Sequence, residues 1–567
     1  MSLRRSTPLT FNPRGLSDTL DGSTVFSGAM SSLQNLVPDP STRALWQCRP
    51  ASIELVNFST GSSGDPFSSG FSPGFGGGSA IFPAPIGMIS CLKVIGNMAY
   101  GMVATGLTSG HDQPFAYNLA TNAFATITGV TAANTPASPT TTGAWVPPKM
   151  ALVGHELLVT HPGFTGAGGV YFGWFDIANP SAITWNGGNL TGLVTFSTPP
   201  SCVENFNGRA YWITNPLTGQ PAVIFSDVLV PRTVTNANQV LTFDDNVPLT
   251  ALGGLPLNNQ LGGIVQALIV FKGVQNMYQI TGDAASASSP LSKNALNVAT
   301  GTLAPNSICP TPKGLAFIAP DGLRMIDFNG NVGDPIGTDG MGKTLPFIYS
   351  VIPSRMYAAA NGLVYRITTQ DGSLPDSATV EYWYDMTRQI WSGPHTFPSS
   401  CIGPWNNTFI TAPVNVTGSL WRSDFVQSST STYTENGSAL SFIWTSCMLP
   451  DPNQMSENAM IETTIYMGQT PGGSYSVFAL NHNGAVLQSV TLSNTSTSSI
   501  WGQFTWGNAL WGGATSVLFP RRLPWPAPVV FRRMQISLTG RSSSSTRVGM
   551  MHLKYEQLGY LQQSDAA

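Results

Sequence analysis

The sequence predicts an all-β protein with an extended N-terminal arm, a repeated central domain and a C-terminal antiparallel β-sandwich. Three observations carry this. Charged residues are only 9% of the 567 residues, against about 25% in an ordinary globular chain. Gly (59) and Pro (43) are abundant, and both punctuate short elements rather than long helices. A turn followed by a short apolar strand recurs about every fifty residues, the sign of a repeat architecture. The chain is not a disordered polymer, because 42% of it is hydrophobic and its net charge is −3.

The same figures exclude several classes. A coiled coil needs abundant Ala, Glu, Lys, Leu and Arg. A duplex-DNA reader needs basic stripes, and 25 Lys and Arg spread over the chain do not make one. No apolar run reaches the length of about 18 residues that a membrane-spanning helix needs, so no stable membrane insertion is expected. Arg4 and Arg5 have no apolar stretch behind them, and no export signal is expected there. The six cysteines, at positions 48, 91, 202, 309, 401 and 447, show no zinc-ligand spacing. They read as buried free thiols, which fits synthesis in a reducing cytoplasm.

Along the chain, residues 1–57 read as an irregular arm ending in a strand, Ala51 to Phe58. Residues 58–83 are a Gly/Ser/Phe-rich linker or loop. Phe67, Phe71 and Phe75 lie in it, and a partner-binding loop and a passive linker both remain open there. Residues 84–427 carry the repeat. Its register marks are Tyr100, Leu158, Tyr211, Val270, Phe317, Tyr365 and Phe409, in steps of 44 to 59 residues. A second strand in most units ends in Asp or Asn, as at Asn118, Asp176, Asp227, Asp327, Asp385 and Asp424. Those side chains suit a turn, because they bond nearby backbone amides. A period near 50 predicts a β-propeller of six to seven blades.

Residues 428–567 read as the sandwich. Strands are expected at Ala439 to Met448, Met460 to Gly468, Ser474 to Leu480, Ala485 to Leu492, Val529 to Thr539 and Ser545 to Tyr555. Asn483-Gly484 reads as a hairpin turn. Trp501, Trp506 and Trp511 each precede Gly at five-residue spacing, which matches neither a strand nor a helix face. They are candidate interface residues, with packing inside the domain as the open alternative.

Chemistry-bearing patterns are sparse, and no catalytic, cofactor-binding or metal-binding residue is assigned. The six histidines, 111, 155, 161, 395, 482 and 552, contain no His-Glu-x-x-His motif. Neither a nucleophile elbow nor a phosphate-binding loop is assigned. Asp327 to Asp334 departs from a calcium loop at its glycine and its twelfth position, so a turn is expected. Asp321, Asp327, Asp334 and Asp339 read as turn residues rather than a glycosidase pair. The expectation is that the chain is not an enzyme and has no cofactor.

Four stretches resemble a known family. They are Ser31-Ser32-Leu33-Gln34-Asn35-Leu36-Val37-Pro38-Asp39 leading to Cys48-Arg49-Pro50; Val270-Phe271-Lys272 through Tyr278 to Asp283; Gly301 to Ser307 followed by Gly314 to Arg324; and the Trp-Gly series with Leu523-Pro524-Trp525 and Val529 to Leu538. Together they resemble the tail nozzle (tail tubular protein B-like) proteins of short-tailed bacteriophages, the podoviruses. The resemblance implies a structural virion protein at the distal end of the phage tail. It implies a homohexameric ring around a channel that retains the genome and conducts DNA on infection. The implied partners are adaptor or head-tail connector proteins, tail fibres, a tail tip or needle, and double-stranded DNA in transit. The alternative is a receptor- or glycan-binding β-propeller tail protein.

Overall fold

The computed structural model describes residues 6–11, 15–16, 29–39, 45–58, 88–104, 110–138, 146–180, 182–216, 219–243, 246–258, 263–283, 290–296, 298–336, 353–370, 379–414, 418–425, 432–449, 457–468, 474–493, 518–542 and 546–559. These residues are nearly all strand, with three single-turn 3-10 segments and no α-helix among them.

Seven small, mainly antiparallel sheets follow one another along the chain, the sixth of them continuous with a larger sheet. Their first strands are Ile89–Ile95, Lys149–Val153, Cys202–Phe206, Leu249–Asn258, Cys309–Thr311, Tyr357–Asn361 and Ser399–Trp405. Each pairs with the strand after it, and that strand with the next. The seven register marks of the repeat all fall on the second strand of a sheet, and all are buried. The Asp and Asn marks fall at or just after the end of the third. Asn118, Asp176, Asp327 and Asp385 accept bonds from backbone amides two to four residues on. This is the turn role expected of them.

Neighbouring sheets share apolar cores. Tyr100 and Met102 of the first sheet pack with Leu157 and Phe175 of the second. Leu158 and Trp174 of the second pack with Trp212 of the third. The third and fourth, then the fourth and fifth, meet in the same way. Ala316 and Ile318 of the fifth share a core with Tyr365 and Ile367 of the sixth. Ala359 of the sixth meets Ile402 and Phe409 of the seventh. The seventh returns to the first through Ile410 and Leu420 against Ile89 and Phe115. Gly403 sits at that last junction. A Cβ there would approach Val94 Cγ2 to 2.8 Å, so the close approach of the two strands needs glycine.

The fourth strand of the seventh sheet comes from the opposite part of the chain. Ile53–Asn57 pairs antiparallel with Ser419–Asp424. Val56 and Phe58 then enter the core between the seventh and first sheets.

Two larger sheets complete the fold. In one, Arg547–Gly559 pairs with Glu457–Gly468, with Trp46–Cys48 and with Ser6–Phe11. In the other, the order is Ile390–His395, Ala29–Gln34, Ser438–Ser446, Met534–Ser542, Ser474–Asn481 and Val486–Ser493. Arm strand Ala29–Gln34 therefore lies between the last strand of the sixth small sheet and the C-terminal strands. The Asn483-Gly484 turn is present, with Gly484 at φ 77° and Asn481 Oδ1 accepting from Asn483 and Ala485.

Candidate functional site

Asn35 ends the arm strand in a left-handed conformation, φ 56°, and turns its polar groups inward. Its backbone N–H donates to His395 Nδ1 at 3.1 Å. Its Oδ1 accepts from Arg49 Nε at 3.0 Å. Arg49 forms a two-pronged pair with Glu435, at 2.9 and 2.8 Å, and donates to Thr396 O at 2.8 Å. The Arg49 and Glu435 side chains are 2% and 6% exposed, and Ser52 N donates to the same carboxylate. Nearby, Glu381 accepts from Arg366 Nε and Trp383 Nε1. Arg366 also lies over the Trp383 and Phe409 rings, at 4.4 and 4.9 Å. Two buried cations meeting two buried carboxylates keep every charge compensated. This clasp joins the arm, the sixth sheet and the C-terminal sheets.

His395 and Ser392 approach to 3.2 Å at Nε2, which invites comparison with a catalytic pair. The hydrogen bonds decide otherwise. Nδ1 accepts the Asn35 N–H, so in the neutral ring Nε2 carries the hydrogen and donates to Ser392. A ring in that tautomer has no lone pair facing the hydroxyl and cannot take its proton. Burial first, then Arg49 and Arg366, holds the imidazolium down and the pKa well below 6.5. The unfolded chain binds this proton more readily, so the contribution is complete above pH 6.5 and is lost as pH falls below it. The thermal midpoint is expected to drop between pH 7 and pH 5, and to drop less in His395→Gln. Equal pH responses of the two proteins contradict this.

A second buried pair ties the first two sheets. His161 Nε2 and Asp112 Oδ2 are 2.8 Å apart, both side chains fully buried. Asp112 also accepts from Ser138 Oγ at 2.7 Å. His161 Nδ1 accepts from Gly163 N, so both ring nitrogens are occupied and no nucleophile faces them. His155 is exposed and lies 3.9 Å from Asp176; the two histidines do not share a site. All six cysteines are buried and none is in a disulfide. Burial pushes the Cys202 thiol up to about 11 and those of Cys309 and Cys401 to about 12, so these three are not ready thiolates.

A cavity of about 250 Å³ is lined by Lys93, Lys149, Glu204, Asn306, Tyr357 and Gly403, among others. These come from five of the seven sheets and the 3-10 turn Pro305–Ser307. Sequence reasoning missed it, because its residues are scattered over 300 positions and share no motif.

The other expected sites are placed as follows. Asp321 pairs with Arg324, Asp327 closes its own turn, and Asp339 is outside the described residues. Phe67, Phe71, Phe75, Trp501, Trp506 and Trp511 also lie outside them. Among the described residues no group of three His, Cys, Asp or Glu is placed to hold a metal. No helix among them is long and apolar enough to cross a membrane. Two patterns correct the sequence expectation. Gly70-Phe71-Ser72-Pro73-Gly74 spells a Gly-x-Ser-x-Gly elbow, and Gly337 to Thr344, with Gly342-Lys343-Thr344, spells a phosphate-binding loop. Both lie outside the described residues.

No family model matches the chain, and no curated protein matches it. Solved structures do. An exo-β-1,3-galactanase from Phanerochaete chrysosporium is 10% identical, at TM-score 0.24, over 72% of this chain and 95% of that one. Raptor from Chaetomium thermophilum is 8% identical, at TM-score 0.36, over 67% of this chain and 29% of that one. A puromycin hydrolase is 12% identical, at TM-score 0.31, over 68% and 61%. Two of the three are enzymes, which corrects the expectation that the chain is not an enzyme. At these identities and scores they assign it no reaction.

Proposed function

We propose that the chain is a structural subunit of the tail nozzle of a short-tailed bacteriophage. On this reading the seven small sheets are blades of a propeller, and the two larger sheets form the sandwich. About six copies surround a channel at the distal end of the virion tail. That ring contacts an adaptor or head-tail connector, tail fibres and a tip or needle, and double-stranded DNA passes through it in transit.

The supporting observation is the clasp. Asn35 and Arg49, which carry the family resemblance of the arm, are the two residues on which the buried network is centred. Within the propeller, closure is supported by strand Ile53–Asn57, which completes the seventh sheet from the N-terminal side. The cavity is far too small for a duplex, so the DNA path lies between subunits. A chain with 9% charged residues lines such a path without gripping phosphates. The second reading, a receptor- or glycan-binding propeller, is favoured by the cavity, which has the concave, mixed lining of a ligand site. Solution mass, alone and with the adaptor, separates the two.

A further inference from the structure

Charge is scarce in this protein, yet three ionic side chains line one small cavity. Lys93, Lys149 and Glu204 all line the space of about 250 Å³. Among the described residues none of the three is in an ion pair. Lys149 Nζ donates to Pro305 O at 3.2 Å, which leaves two of its three N–H groups. Glu204 Oε1 accepts from Asn205 N, which leaves most of its acceptor capacity. Asn306 Nδ2 donates to Pro147 O at 2.7 Å, and its carbonyl and second N–H remain. Two cations near Cys309 and one carboxylate on a neighbouring strand make the cavity a polarised recess.

We propose that this cavity binds a small polyhydroxylated carboxylate about the size of one sugar acid. The two ammonium groups select a carboxylate through charge-assisted hydrogen bonds. Glu204 accepts only, so it faces a donor; a hydroxyl satisfies it and a second anion is repelled. A fully ionised phosphate without hydroxyl groups lacks the donors Glu204 needs. The apolar side chains of Met150, Ile308 and Ile402 pack on the carbon face of a ring. The volume holds about eight waters at about 30 Å³ each, room for one sugar ring and little more. This inference does not rest on the nozzle reading.

Titration calorimetry on the full chain with galacturonate as the probe, and galactose and acetate as controls, tests it. Galacturonate is expected to bind about tenfold or more tightly than either control. Lys93→Gln, an exposed position that leaves the fold intact, is expected to weaken galacturonate several-fold, and Lys93→Gln with Lys149→Gln about tenfold or more. Glu204→Gln is expected to reduce the preference for galacturonate over acetate. Absence of binding at about 10 mM galacturonate, galactose bound as tightly as galacturonate, or full affinity in folded Lys93→Gln would each overturn the proposal.

Discussion

Glu435→Ala is expected to lower stability by about 3–5 kcal/mol, the cost of leaving a buried cation without its partner. Arg49 then keeps its bonds to Asn35, Pro50 and Thr396 but loses both carboxylate contacts. It cannot swing to water, because the arm strand, the sixth sheet and the C-terminal strands surround it. Ser52 N loses its acceptor as well. Arg49→Met combined with Glu435→Leu is expected to regain most of the loss, since a packed apolar pair costs less than half of an ion pair. Urea unfolding of the three proteins checks this. A loss below about 1 kcal/mol in Glu435→Ala, or no recovery in the double variant, contradicts the role given to the clasp.

Val56→Asp is expected to cost about 3 kcal/mol or more and to open the seventh sheet. Val56 is buried between the seventh and first sheets with Ile89, Phe115 and Leu420, in an apolar cluster. An isolated charge there carries its full desolvation penalty. Among the described residues the strand Ile53–Asn57 has one sheet partner, Ser419–Asp424, so it is expected to detach rather than rearrange. Hydrogen exchange should show lost protection in Ser419–Asp424 and Ile89–Ile95 together. Protection unchanged in either strand contradicts closure through residues 53–57. Val56→Thr, of nearly the same shape, separates the charge from the loss of packing.

Much of the β-architecture was legible from turn chemistry. Gly154, Gly208 and Gly362 have positive φ at the turns that open a second strand, and Asp and Asn close the third. The first strand of each sheet was not seen. It packs against neighbouring sheets, so it lacks the polar face that alternation needs; Lys149–Val153 and Cys202–Phe206 show the mixed burial that results. Second strands such as Glu156–Thr160 and Gly314–Ala319 are buried at every residue, and only their flanking turns reveal them. The arm was legible as extended but not as a sheet member, because its partners lie about 400 residues away. Neither the clasp nor the cavity had a local signal. Both are assembled from single residues far apart in the chain, which spacing does not encode.

The nozzle reading is tested most directly by the mass of the purified chain in solution, by light scattering, alone and with its adaptor. The predicted result is a ring of about six times the 60.1 kDa chain mass, formed alone or on adding the adaptor. A chain that stays at 60.1 kDa in both cases, while binding glycans, contradicts the nozzle and supports the receptor-binding propeller.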